Sequence, residues 1–451
     1  MNTIISSLVK KTVAPQIAST VAPKPVNMSN VACVILGGGQ GSRLYPLTKS
    51  RCKPAICFGG RYRLIDVPIS NSLNSDIQKI FVVTQFLASS LHKHIFQAYR
   101  LGTFSPGFIE VLSAEQKMDR TTWYLGTADA VRQNMEYLLE TNAEYFLILS
   151  GDQLYRLDFR QMMQTAIQKD VDVLVATLAV NEQDAKRMGI MKINEDHHII
   201  DFYEKPSERA DLDRLKTAPA SLEKMGLDSN SEKCYLGSMG IYLFKRQALF
   251  KLLQDDPRED FGKHLIPTKV KSGSIAAFAH DGYWEDIGTI GSFYKANMAL
   301  TTSEPPFDCY NELQPIYTNR HHLPGPKIYN TKIKLSIVCE GTIIEAEEIC
   351  NSLLGHRAVI KRDTVIQDSY IMGHDFYTAP SDMGGGAAKN LCIDAGCTIR
   401  SAIIDKNVSI GKNVQLVNKN NLTNYDGDNI FIRDGVIVVP RGASIPDGFV
   451  L

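Results

Sequence analysis

Several things are missing from this sequence, and each absence removes a class of protein. No run of about 18 apolar residues occurs, so no membrane-spanning helix is expected. Neither charge dominates. The 49 Lys and Arg are matched by 49 Asp and Glu, which excludes bulk attraction to a nucleic-acid backbone as the main mode of binding. No two of the nine cysteines stand at the two-residue spacing of a zinc knuckle or redox motif. Their odd number, with no secretory signal in view, reads as reduced thiols in a cytosol-like compartment. Residues 1–29 hold no acidic residue and no arginine, and Lys10, Lys11 and Lys24 are their only charges. The apolar run Thr3–Val9 precedes the lysines, the wrong order for a secretory signal. This stretch is expected to be a disordered extension. The missing arginine makes it a poor transit peptide, so a bacterial cytosol is preferred while a plastid stays open.

What is present is a globular chain of 451 residues, 44% hydrophobic and 22% charged, which leaves room for two or three domains at roughly 150 residues each. From Asn30 the texture changes. Short apolar runs at Val31–Leu36, Ile80–Thr84, Tyr145–Ser150 and Val171–Ala179 alternate with helix-compatible stretches such as Ala128–Glu140 and Arg160–Lys169. That alternation predicts an α/β sheet with ligands at the carboxyl ends of its strands. The first run ends in Gly37-Gly38-Gly39-Gln40-Gly41-Ser42-Arg43. Ser42 stands where a dinucleotide fingerprint needs its last glycine, and the P-loop pattern fails as well. A glycine loop with free N–H groups can still wrap an anion, although a plain turn would read the same way. The first acidic residue is Asp66, and before it come Arg43, Lys49, Arg51, Lys53, Arg61 and Arg63. Six cations beside a glycine loop point to a polyphosphate ligand.

Asp152 follows the run Tyr145–Leu149, and Asp286 lies in Gly282-Tyr283-Trp284-Glu285-Asp286. Two separated aspartates near a polyphosphate loop suit Mg²⁺, which takes one or two protein carboxylates and fills its other places with water and phosphate oxygens. A helix cap and a turn would explain the same residues. Glu204-Lys205-Pro206 could bind a sugar phosphate or be a surface pair. Pro305–Pro326, with five prolines, reads as a linker. Beyond it the period becomes six. Leu353, Val359, Val365 and Ile371 form one series, and Leu354, Ile360, Ile366 and Met372 another. The phase resumes at Ile393 and Ile399, then at Ile404, Ile410 and Leu416. A six-residue aliphatic period marks a parallel β-helix.

Together these stretches resemble the glucose-1-phosphate adenylyltransferases, or ADP-glucose pyrophosphorylases, from about Val31 to Leu451. The likeness rests on Gly37–Leu47, Arg51–Ser70, Trp123–Gln133, Gly151–Tyr155, Phe202–Pro206, Ser238–Phe244, Tyr283–Ile290 and the tail Phe431–Gly448. It implies a Rossmann-like α/β nucleotidyltransferase domain over 30–303, a linker over 304–330 and a left-handed parallel β-helix over 331–451. It also implies a reaction, in which ATP and glucose 1-phosphate give ADP-glucose and pyrophosphate with Mg²⁺, as the regulated first step of glycogen or starch synthesis. By resemblance Gly38, Gly39 and Gly41 would hug the triphosphate, and Arg43 and Lys53 would neutralise the departing pyrophosphate. Gln116 would contact adenine. Asp152 and Asp286 would hold the metal, with Asp152 counted as catalytic. Glu204 would take glucose hydroxyls and Lys205 the sugar phosphate, with Tyr124, Gly189 and Ser238 beside them. Gln85 and Trp123 would couple an effector site to the substrates.

The chain departs from the resemblance at Gln153, where His is usual, at Cys52 in place of Ala, and at Arg433 and Arg441, which stand for effector-binding lysines. A guanidinium is a planar fork and an ammonium a point charge, so the phosphorylated effector is left unidentified. The resemblance further implies a homotetramer, with a heterotetramer open. Other readings remain at this point: a uridylyl- or thymidylyltransferase, a catalytically silent regulatory subunit, and a hexapeptide acyltransferase using His356 or His374. Retained Arg43, Lys53, Asp152 and Asp286 speak against the silent subunit.

Overall fold

The computed structural model describes residues 26–102, 104–115, 123–228, 232–379 and 389–451. Its first half is built on a mixed sheet whose central strand, Val31–Leu36, lies parallel to Lys79–Thr84 on one side and to Tyr145–Ser150 on the other. Phe108–Ser113 extends the sheet beyond Lys79–Thr84. Tyr235–Lys245 runs antiparallel to Tyr145–Ser150 and also pairs with Val173–Val180 and Gly189–Ile193. Ile199–Glu204 closes that edge, and Ile275–Ala279 lies beside Val173–Val180.

The apolar runs are continuous because both faces of the central strands are buried. Alternate residues serve opposite faces. Ala32, Val34, Phe81, Val83, Phe146 and Ile148 enter one core, while Cys33, Ile35, Ile80, Val82, Leu147 and Leu149 enter the other. Val26 and Met28, inside the stretch expected to be an extension, also pack into the second core. Residues 1–25 of that stretch lie outside the described residues.

The helix expected over Ala128–Glu140 is two helices, Thr127–Gln133 and Met135–Glu140. Asn134 breaks it by donating from its amide to the Ala130 carbonyl at 2.8 Å, which competes with the backbone ladder. The same amide donates to the Tyr124 hydroxyl at 2.8 Å. The second expected helix is present as Phe159–Lys169, with Asp158 as its cap.

The second half is a left-handed parallel β-helix. Its coils stack as three parallel sheets, such as the ladder Ile337–Val338, Leu353–Leu354, Tyr370–Ile371, Ala402–Ile404 and Val436–Val439. The interior holds Leu354, Ile360, Ile366, Ile393, Ile399, Ile404, Ile410 and Leu416, as the six-residue period requires. The other expected series does not line the interior, since Leu353, Val359 and Val365 lie outside it, and the interior series itself shifts at one step. Ile371, not Met372, follows Ile366 into the interior, because the corner at Asp368 (φ 48°) is short by one residue. Met372 and Leu353 instead enter a separate core between the two halves, with Phe58, Phe293 and Tyr370. At the carboxyl end Phe431–Arg433 folds back antiparallel onto Val436–Val439, so the last coil carries a hairpin.

The halves are joined by more than apolar contact. Arg51 and Asp405, 2% and 1% exposed, form an ion pair at 2.5 Å. Gly60 (φ 74°) donates its N–H to the Tyr370 hydroxyl at 3.2 Å, and a Cβ there would lie 2.7 Å from Cys339 Sγ. Arg61 pairs with Glu340 at 2.8 Å. The proline-rich segment between the halves is fastened along its length. Asn74 donates to the Pro315 carbonyl at 3.0 Å, the Tyr317 N–H to Ser70 at 2.8 Å, and Thr318 to buried Asp66 at 2.7 Å. Among the described residues, no helix is long and apolar enough to cross a membrane.

Removing one partner of a buried ion pair strands the other charge. Asp405→Ala is therefore expected to lower stability by about 3–5 kcal/mol in a urea titration, whereas Arg51→Met with Asp405→Leu recovers most of the loss.

Candidate active site

The glycine loop leaves the central strand at its carboxyl end, and the adjacent strand delivers Asp152 to the same place. The Gly37 N–H donates to the Val83 carbonyl at 2.8 Å, and the Gly151 N–H donates to the Leu36 carbonyl at 3.0 Å. These two bonds fix the loop against both neighbours of Val31–Leu36. A cleft of about 840 Å³ opens there. It is lined by Gly38, Gly39, Arg43, Gln85, Tyr124, Asp152, Gly189, Glu204, Lys205, Ser238 and Asp286, so the structure brings most of the sequence-predicted residues to one place.

Asp286 reaches the site through a two-stranded ribbon. Trp284–Asp286 pairs antiparallel with Gln153–Tyr155, and Asp286 stands opposite Gln153. Lys53, largely buried, points its ammonium between the two carboxylates, 2.6 Å from Asp152 and 3.4 Å from Asp286. Burial disfavours the ammonium, but the two aspartates outweigh it and hold Lys53 above the usual lysine range. Burial likewise works against the Asp152 carboxylate, and Lys53 reverses the balance, so Asp152 titrates below its ordinary value. Asp286 moves the other way, raised by burial and by the like charge of Asp152. Two carboxylates converging on one cation form a donor set that suits Mg²⁺, whose remaining places water and phosphate oxygens fill.

The three loop glycines separate in role. Gly38 and Gly39 face the cleft. Gly41 (φ 61°) does not line it; a Cβ there would lie 3.1 Å from the Lys53 Cβ and 3.1 Å from Thr48, so this glycine lets Lys53 pass close behind the loop. Arg43 is exposed and lies over Gly288 and Asp286. Three other cations of the expected positive field are engaged elsewhere. Arg51 and Arg61 face the β-helix, and Arg63 donates to the carbonyls of Ala55 and Ser90. Of the six, only Arg43 lines the cleft, and Lys53 enters from behind.

At the far end Glu204 stands opposite Gly189 in the sheet. Its Oε2 has glycine on two sides, since a Cβ on Gly189 would lie 2.7 Å away and one on Gly262 2.9 Å away. Burial pushes Glu204 above the usual carboxylate range, against the pull of Lys205, whose ammonium is 3.4 Å off. Lys205 holds its backbone at φ 54° and is half-exposed. Ser238 accepts from the Gly240 N–H at 3.2 Å. A carboxylate and an ammonium side by side can hold hydroxyls and a phosphate of one ligand.

Gln85 lies against Gly38, and Trp123 stacks on Phe86 at 6.0 Å outside the cleft lining. Gln116 lies outside the described residues. Arg433 and Arg441 are not together. Arg433 bonds Asp426 and the Tyr425 carbonyl and lines a second cavity of about 700 Å³ beside Arg43, whereas Arg441 pairs with Asp375 at 2.8 Å.

The reading from sequence missed Asp260, Gly262 and Trp284 in the lining, and Lys406, which shares Asp375 with Arg441. Trp284 carried a signal, sitting two residues from Asp286. Asp260, Gly262 and Lys406 carried none.

Residues 32–303 match the family model described as Nucleotidyl transferase, and residues 321–450 match the one described as GLGC left-handed parallel beta-helix domain.

A methyl group on Gly189 would also lie 2.5 Å from the Phe202 ring. Gly189→Ala is expected to lower stability by about 1–3 kcal/mol, the usual effect of overpacking, as read by chemical denaturation.

Proposed function

The chain belongs to the nucleotidyl transferase family and has the architecture of glucose-1-phosphate adenylyltransferase, and on that premise we propose that it joins ATP to glucose 1-phosphate, giving ADP-glucose and pyrophosphate. One observation carries this reading: Lys53 reaches from behind between Asp152 and Asp286, and these two aspartates line the same cleft as Gly38, Glu204, Lys205 and Ser238. On this reading a polyphosphate site and a sugar-phosphate site share one cavity.

In the proposed reaction an oxygen of the sugar phosphate attacks the α-phosphorus of ATP. A new phosphorus–oxygen bond forms, the bond to the β-phosphate oxygen breaks, and pyrophosphate leaves with the electron pair. The nucleophile is already an anion, so no strong general base is needed, and catalysis is positioning with charge neutralisation. Backbone N–H groups of Gly38 and Gly39 cradle the triphosphate, while Arg43 and Lys53 take up charge on the departing pyrophosphate. Glu204 holds glucose hydroxyls, Lys205 holds the sugar phosphate, and Tyr124, Gly189 and Ser238 shape that end. Mg²⁺, held by Asp152 and Asp286, would screen the phosphates so that two polyanions can meet.

We place a small phosphorylated effector at Arg433 and Arg441, coupled to the substrates through Gln85 and Trp123. The cavity shared by Arg433 and Arg43 supports the Arg433 part of that placement, because it adjoins the cleft; Arg441, paired with Asp375, does not line it. A homotetramer in the cytosol completes the reading.

Pyrophosphate release with Mg²⁺, glucose 1-phosphate and either ATP or UTP tests it. Release with ATP is expected; release with UTP alone overturns the base assignment, and silence with both, candidate activators included, overturns the activity. Asp152→Asn is expected to fold as wild type and to lose at least about a thousandfold in turnover, since several kcal/mol of charge stabilisation go with it. Lys205→Ala is expected to raise KM for glucose 1-phosphate by about ten- to a hundredfold with little change in kcat, because a charge-assisted contact is lost in ground state and transition state alike.

A further inference from the structure

Gln153 stands where the two ends of the cleft meet. It follows Asp152 directly and pairs across the short ribbon with Asp286. A ribbon of three residues per strand fixes little by itself. The Gln153 side chain is 7% exposed and reaches a third strand. That strand, Tyr235–Lys245, loses register against Val173–Val180 between Ser238 and Tyr242, and Gly240 takes a φ of 69° within the irregularity. Gln153 Nε2 donates to the Met239 carbonyl at this point, at 2.9 Å. On its other side Gln153 Oε1 accepts from Trp284 Nε1 at 3.3 Å. Trp284 shares its strand with Asp286, and Met239 adjoins Ser238.

The partners dictate which way the amide faces. A carbonyl only accepts and an indole N–H only donates, so the flipped amide would meet a mismatch on both sides. We propose that Gln153 is a positioning residue that locks Asp152, Asp286 and Ser238 into one register, so that the metal-holding carboxylates and the sugar-phosphate end of the cleft are set together. The proposal rests on the reaction assigned above. Gln153 lines the same cleft, and the role proposed for it runs through its two hydrogen bonds.

The amide supplies the one donor and one acceptor that its two partners require. A carboxylate could not donate to Met239. An imidazole could replace the amide only while neutral, with one nitrogen donating and the other accepting; once protonated it would turn a second donor on the Trp284 indole. A neutral amide holds both contacts at any working pH.

The experiment compares wild type with Gln153→Leu and Gln153→His. It measures pyrophosphate release with separate KM values for ATP and glucose 1-phosphate, and ¹⁹F spectra of protein labelled with 5-fluorotryptophan. The chain has two tryptophans, Trp123 and Trp284, so two resonances report. Gln153→Leu is expected to raise KM for glucose 1-phosphate about tenfold, the equivalent of one buried hydrogen bond, and KM for ATP less. It is also expected to displace the Trp284 resonance and leave that of Trp123 in place. Gln153→His is expected to keep both KM values near wild type, because a neutral ring can donate to Met239 and accept from Trp284.

A Gln153→Leu enzyme with wild-type KM for both substrates, or with an unmoved Trp284 resonance, overturns the proposal. So does a Gln153→His enzyme that keeps neither KM near wild type, which also decides the matter if Gln153→Leu does not fold. A wild-type protein that releases no pyrophosphate overturns the reaction instead, and the Trp284 resonance then decides on the Gln153 contact by itself.

Discussion

Arg51 and Asp405 are both charged and both buried, and each is tolerable only because the other is there. This pair joins the half of the molecule that holds the cleft to the half that holds the coil. It also fixes the stretch of chain that carries Lys53, two residues on. Burial would drive the guanidinium toward neutrality, and the Asp405 carboxylate reverses that and holds it firmly charged. The coil is thus part of the support on which Lys53 stands. Gly60 against Cys339 and Tyr370 against the Gly60 N–H keep the same stretch seated a few residues further along.

The cleft repeats this logic with an added charge. Lys53 is held by two aspartates that repel one another, so the three groups set each other's protonation. The result is a site with one aspartate firmly ionised and one held less so. A divalent cation or a triphosphate arriving there meets charges already placed, and little has to reorganise.

Much of this was legible in the sequence, and what was not has physical reasons. Continuous apolar runs marked the central strands because two buried faces leave no polar alternation to obscure them. The six-residue period marked the coil until a shortened corner sent Met372 outward. Asp152 and Asp286 could be singled out as candidates, but not their convergence on Lys53, which depends on a ribbon between distant segments. The six early cations were the instructive error. A sequence shows that Arg51 is charged; it does not show that its partner lies 354 positions away. A cluster of like charges close in sequence looked like one patch, yet the fold sends Arg51 and Arg61 to the coil and Lys53 to the aspartates. Gln153 was visible only as a departure from a resemblance, because its role lies in two hydrogen bonds to residues far along the chain.

The proline-rich connection has a mechanical meaning. It is sewn down at Asn74, Ser70 and Asp66 along the surface of the first half. A tether fixed at so many points does not work as a swivel, and two bodies sharing a packed core do not flap. Any message from the coil must therefore arrive as a small slip between interlocked surfaces, in the manner of shear rather than hinge motion. The molecule is geared, and the tooth nearest the chemistry is the turn that carries Arg51 and Lys53.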